Sequence, residues 1–174
     1  MKIINVIQGM LLLLLLVTFD AQTPIIPQSE QTTSQTIKQL QFVEKYHVEP
    51  TRARQIVDVV QEYSEKFKID SSELLALIAI ESSFRQYVVS GSGAMGYVQH
   101  IDRWHPEKVA YITKVLGYYD QFELRSNLMM GVLISAEYKR RYGSRWLQAY
   151  NGSLKDKHMI YTNKFNVTLK ELNA

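Results

Sequence analysis

A chain of 174 residues, 46% hydrophobic and 21% charged, has the length and composition of one globular domain with a short appendage. A multidomain machine, wholesale disorder and a fibrous repeat are excluded. It holds no cysteine, hence no disulfide scaffold, thiolate metal site, cysteine nucleophile or lipidated cysteine, and its net charge of +3 suits an anionic polymer such as cell wall or merely gives solubility, whereas nucleic acid attracts a denser basic stripe.

Lys2 precedes an apolar stretch over residues 3–19 that is almost pure leucine from Met10 onward. Residues 1–21 therefore read as a cleaved signal peptide or a retained membrane anchor. Either exports the remainder, because the early positive charge stays on the cytoplasmic side. Residues 22–35, rich in Thr, Gln, Ser and Pro, read as a linker.

The rest reads as helix after helix. Ile37, Leu40 and Val43 recur at helical spacing, as do Ile56, Val59, Val60, Tyr63 and Phe67, with Pro50 well placed near a helix start. Asp70-Ser-Ser-Glu73 resembles a capping box opening a third helix. Residues 74–80 are seven apolar residues without an amphipathic face, so that helix belongs in the domain centre. A glycine-rich loop follows at residues 90–96. Pro106–Leu116, Leu124–Tyr142, Trp146–Tyr150 and residues 158–172 read as further helices, with Gly143 as a stop. No stretch alternates with period two. The fold is mostly α.

Glu81 directly follows the most apolar helix. The negative end of the macrodipole and burial both disfavour its charged form, which raises the carboxyl pKa toward what a general acid needs at neutral pH. On its own, such an acid more often turns into water.

Its surroundings read Glu81-Ser82-Ser83-Phe84, then Ser90-Gly91-Ser92-Gly93-Ala94-Met95-Gly96-Tyr97-Val98-Gln99, and later Ala149-Tyr150-Asn151-Gly152. In order and spacing these segments resemble the soluble lytic transglycosylase family of peptidoglycan-cleaving enzymes, which has a lysozyme-like fold. The family pattern is a Glu-Ser pair ending an apolar helix, a Ser and a Gly-Ala-x-Gly-Leu-Met-Gln loop, an Asn near a helix start (Asn127 here), and Ala-Tyr-Asn-Ala-Gly. The resemblance covers residues 69–170 and implies a catalytic domain over residues 36–174. Tyr97, Val98, His100-Ile101-Asp102, Gly152 and Ser153 depart from the pattern, and these departures bear on the groove lining and its sugar preference.

The resemblance implies that Glu81 is the single acid and base, with no cofactor and no metal. Such an enzyme cuts the β-1,4 bond between N-acetylmuramic acid and N-acetylglucosamine and closes the C6 hydroxyl onto C1. An intramolecular hydroxyl then replaces water, so no second carboxylate is required. Ser82 would orient the network around Glu81. Gln99, Ser90 and the loop residues Gly93, Ala94 and Gly96 would contact sugar, Tyr150 and Asn151 would line the opposite wall, and Tyr161 would sit near the acid. The partners implied are peptidoglycan strands on the periplasmic side of the inner membrane, with service to a secretion, conjugation or phage-entry machine.

Two other readings stand beside this one. A lysozyme-type hydrolase would use Asp102 or Asp120 to position water, and a wall-binding component would cut weakly. The Gly91-x-Gly93-x-x-Gly96 string lacks the strand a dinucleotide fingerprint needs. His100, Asp102 and His105 fit no common zinc spacing. The Lys139-Arg140-Arg141 run suits a helix C-terminus.

Overall fold

The computed structural model describes residues 28–155 and 158–174. The signal or anchor expected over residues 1–21 lies outside them, as do residues 22–27 of the expected linker. Helix α1 (Gln28–Glu44) begins inside that linker stretch, so residues 28–35 extend a helix instead. Gln, Ser and Thr do not forbid helix. They gave the stretch no apolar period, and the helix takes its anchorage from Phe42 and Val43 at its far end.

Helix α2 (Pro50–Phe67) carries Pro at its first turn and buries Ile56, Val59, Val60 and Tyr63 of the face its periodicity marked, with Ala53 and Val57 beside them and Phe67 partly buried at its end. Helix α3 (Ser71–Ser82) is capped by Asp70, whose carboxylate accepts the amides of Ser72 at 2.7 Å and Glu73 at 3.1 Å. Glu73 pairs with Lys139 in place of the reciprocal arm of a capping box. Asp70→Ala is expected to cost about 1 kcal/mol, read as a drop in the urea midpoint with an unchanged slope.

Residues 74–79 are all buried. Helices α1, α2 and α7 (Ile160–Leu172) pack on α3, and α7 runs along it most extensively. Helices α4 (Pro106–Leu116), α5 (Leu124–Tyr142) and α6 (Trp146–Tyr150) complete the domain, α5 joining α2, α4 and α6. Their bounds are those read from the sequence, while the last helix starts at Ile160, two residues later than expected. Among the described residues there is no strand beyond two isolated bridges, Val89 with Met95 and Met95 with His100, and no helix long and apolar enough to cross a membrane.

Two consecutive non-glycine residues, Ser83 (φ 52) and Phe84 (φ 60), turn the chain sharply off the end of α3. Left-handed backbone costs such residues roughly 1–2 kcal/mol each. Phe84 is held there by burial against Phe42 and Tyr46, edge to face at 6.1 and 5.0 Å. The turn starts the loop that faces Glu81.

Candidate active site

A groove of about 430 Å³ opens between the end of α3, the loop after it, α5 and α6. Glu81, Ser90, Ala94, Gln99, Tyr150 and Asn151 line it, so six of the residues singled out in the sequence meet on one surface. Ser92, His100, Ile101, Trp104, His105, Ile134, Tyr138 and Gly152 also line it.

Glu81 ends a buried helix and stays partly buried itself. Burial pushes its carboxyl up to about 7, against two smaller effects that favour the carboxylate, a hydrogen bond from the Tyr161 hydroxyl and the charge of Lys164. Tyr161 and Lys164 lie one turn apart on α7, which brings both to the end of α3. The Lys164 ammonium also donates to the Ile80 carbonyl at 3.4 Å, satisfying one of the acceptors that a helix C-terminus leaves open. The sequence reading named Tyr161 but missed Lys164, although its i+3 spacing was a signal for it.

The loop over residues 85–100 is tied by short bonds. Ser90 exchanges backbone bonds with Ala94 and Gly93, and its hydroxyl accepts the Ala94 amide at 2.9 Å. The Gln99 side-chain amide donates to the carbonyls of Val88 at 3.1 Å and Gly96 at 2.9 Å. Asn127 is fully buried at the start of α5 and fastens the loop from behind. It accepts the Val98 amide at 3.0 Å and donates to the Gln121 carbonyl at 2.7 Å. Tyr150 donates to the Val98 carbonyl at 2.9 Å, locking the opposite wall to the same loop.

Four of the expected site residues do not line the groove. Ser82 is 1% exposed and its hydroxyl donates back to the Ile78 carbonyl at 3.1 Å, because a serine one residue past Glu81 points to another helix face. Gly93 (φ 84) turns the loop, and Gly96 is pressed against Asn127. Tyr161 reaches the groove only through Glu81. Tyr97 and Val98, whose departure from the pattern was expected to alter the lining, are core residues. The Tyr97 hydroxyl accepts from Arg52 at 2.7 Å, and Val98 packs on Gly131.

His100 is engaged on both ring nitrogens. Nε2 faces Asp102 Oδ1 at 2.9 Å and the Tyr119 hydroxyl at 2.8 Å, while Nδ1 faces Asn127 at 3.3 Å. Burial lowers its pKa against the opposing charge of Asp102. Asp102 is occupied by His100 and by Tyr119, which donates to it at 2.5 Å. Asp120 caps the Phe122 amide at 2.8 Å. Among the groove-lining residues Glu81 is the sole carboxylate.

Fold and site together define a lysozyme-like helical domain with one protonatable acid at the end of an enclosed helix, facing a polar groove. The family model of the transglycosylase SLT domain matches residues 58–166, and the chain belongs to that family. Over 48 residues it is 44% identical to membrane-bound lytic murein transglycosylase C of Serratia proteamaculans and to the protein of that name from Edwardsiella ictaluri, which covers 28% of this chain and 13% of either relative. It is 39% identical over 57 residues to the Glaesserella parasuis protein of that name, covering 33% of this chain and 15% of that one. The matched stretch thus spans about a seventh of the length of these relatives.

Proposed function

We propose that the chain is an exported peptidoglycan lytic transglycosylase with Glu81 as its single acid and base. The observation that carries this reading is a lone groove carboxylate whose pKa is raised to about 7. Protonated Glu81 gives its proton to the glycosidic oxygen as the bond from C1 of N-acetylmuramic acid to that oxygen breaks. The carboxylate left behind takes the proton of the same sugar's C6 hydroxyl, which closes onto C1. No water is consumed, and Glu81 ends protonated, ready for another cycle. A pKa near the working pH serves both halves, since the same group must give and then take a proton.

A hydrolase would need a second acid to direct water, and Asp102 and Asp120 are both engaged elsewhere. In this reading residues 1–21 carry the domain across the inner membrane or hold it there, and residues 36–174 act on the wall. Local opening of the wall for an envelope-crossing machine would suit a domain of this size.

The test is mass spectrometry of fragments released from purified sacculi by the full chain. Fragments ending in 1,6-anhydro-muramic acid, one water lighter than reducing-end products, are expected, and reducing-end products would overturn the reading. Tyr161→Phe removes a hydrogen bond that favours the carboxylate, so the Glu81 pKa rises further. The alkaline limb of the pH–rate profile is then expected to move to higher pH, and an unmoved limb would remove Tyr161 from the acid's control.

A further inference from the structure

The groove also holds an exposed indole that none of the family motifs includes. Trp104 is 64% exposed, yet it lines the same groove as Glu81. Scattered exposed apolar residues are ordinary on a protein surface. Trp104 differs in where it stands and in how it is held. It ends the short 3-10 turn Asp102–Trp104, closed by the Trp104 amide on the Ile101 carbonyl at 3.0 Å and the His105 amide on the Asp102 carbonyl at 2.8 Å. The start of the turn is pinned through the Asp102 side chain, which His100 and Tyr119 grip from the interior. The Arg103 guanidinium packs on the indole, 5.1 Å from the ring centroid. An exposed tryptophan is thus mounted on a turn that cannot easily fold it away.

Its neighbours in the groove complete an amphipathic surface. Ile134 and Tyr138 lie one turn apart on α5, and His105 stands 6.3 Å from the Tyr138 ring, centroid to centroid. Pyranose rings of N-acetylhexosamines have one face of C–H groups and a periphery of hydroxyl and amide groups. An indole sharing its groove with an imidazole and a phenol matches that chemistry, as aromatic side chains offer large contact area with few rotors to freeze.

We propose that Trp104 is the stacking platform of a glycan subsite, with an N-acetylhexosamine ring lying on its indole. This rests on the transglycosylase reading only for the identity of the polymer. Binding held by Trp104 spreads along the strand and aligns the scissile bond with Glu81.

The chain has two tryptophans, Trp104 and the buried Trp146, so emission from an exposed indole reports on Trp104 alone. Tetra-N-acetylchitotetraose is titrated into the full chain in detergent, carrying Glu81→Gln to prevent turnover. A blue shift on binding is expected. Calorimetry with the same sugar should show affinity falling roughly tenfold with Trp104→Ala and largely kept with Trp104→Phe. On sacculi, the parent bearing Trp104→Ala is expected to show a raised KM with kcat less affected. Unchanged emission, or equal affinity and KM in Trp104→Ala with the fold intact by circular dichroism, overturns the platform. A parent that releases reducing-end fragments while Trp104 still responds to the tetrasaccharide overturns the transglycosylase reading and leaves the subsite standing.

Discussion

Glu81→Gln is expected to abolish fragment release from sacculi and to raise thermal stability above neutral pH. The first effect follows from the proposed role, since an amide neither gives nor takes the proton; a loss of at least 100- to 10,000-fold in rate is expected. The second follows from burial. An ordinary carboxyl near 4.5 is pushed up to about 7 in the fold. Below pH 4.5 the folded and unfolded chains both hold the proton, and the site carries no penalty. Between 4.5 and 7 the unfolded chain releases it first, so the folded state loses ground. Above 7 the penalty is complete, on the order of 3 kcal/mol. The gap in Tm between variant and parent should therefore be small at pH 4, open through pH 7 and stay constant beyond. The parent's rate should fall as pH rises through about 7, where the acid is lost. Retained lysis in the variant, or a Tm gap equal at pH 4 and pH 8, would contradict this account.

Gly96→Ala is expected to fail for a different reason. A Cβ at Gly96 would stand 2.1 Å from Asn127 Nδ2 and 2.9 Å from the Gln121 carbonyl oxygen, on backbone with φ of 72°. Asn127 cannot retreat without leaving the buried Val98 amide without an acceptor. Strain and overpacking together suggest a loss of about 3 kcal/mol, a fall in Tm on the order of 10 °C. Activity goes with it, because Val98, Gln99 and Tyr150 hang on the same loop. Were Gly96 present only to let a sugar approach, the variant would lose affinity at unchanged Tm, and the two measurements separate these roles.

Most helices were legible because their signals are local. Pro50, Asp70, Pro106 and Gly143 mark starts and stops within one turn of themselves, and residues 74–80 declare an interior helix by lacking any polar face. Glu81 was legible because its motif is contiguous. What escaped depends on contacts between distant residues. Nothing near Val98 says that Asn127, 29 residues on, will accept its amide. His100 read as a departure bearing on the groove lining, and nothing local said that Asp102, Tyr119 and Asn127 would hold both of its ring nitrogens. Trp104 went unread because it lies outside the matched motifs, and its value comes from facing a groove built by other segments. Ser82 and Gly96 belong to the motif yet do not line the groove, because each is spent inside the fold, Ser82 on the Ile78 carbonyl and Gly96 against Asn127.

The two walls of the groove are unequal in cooperativity. One rests on α3, whose enclosed amides should be among the last in the chain to exchange with deuterium. The other rests on a three-residue turn and on the segment after α6, which contains the exposed Asn151 and Gly152. In the proposed reading the acid is housed in the enclosed helix, and the residues that would meet the glycan stand on the shorter segments. On that reading, substitution in the outer wall is expected to change glycan preference while the burial of Glu81 by α3 and α7 is kept.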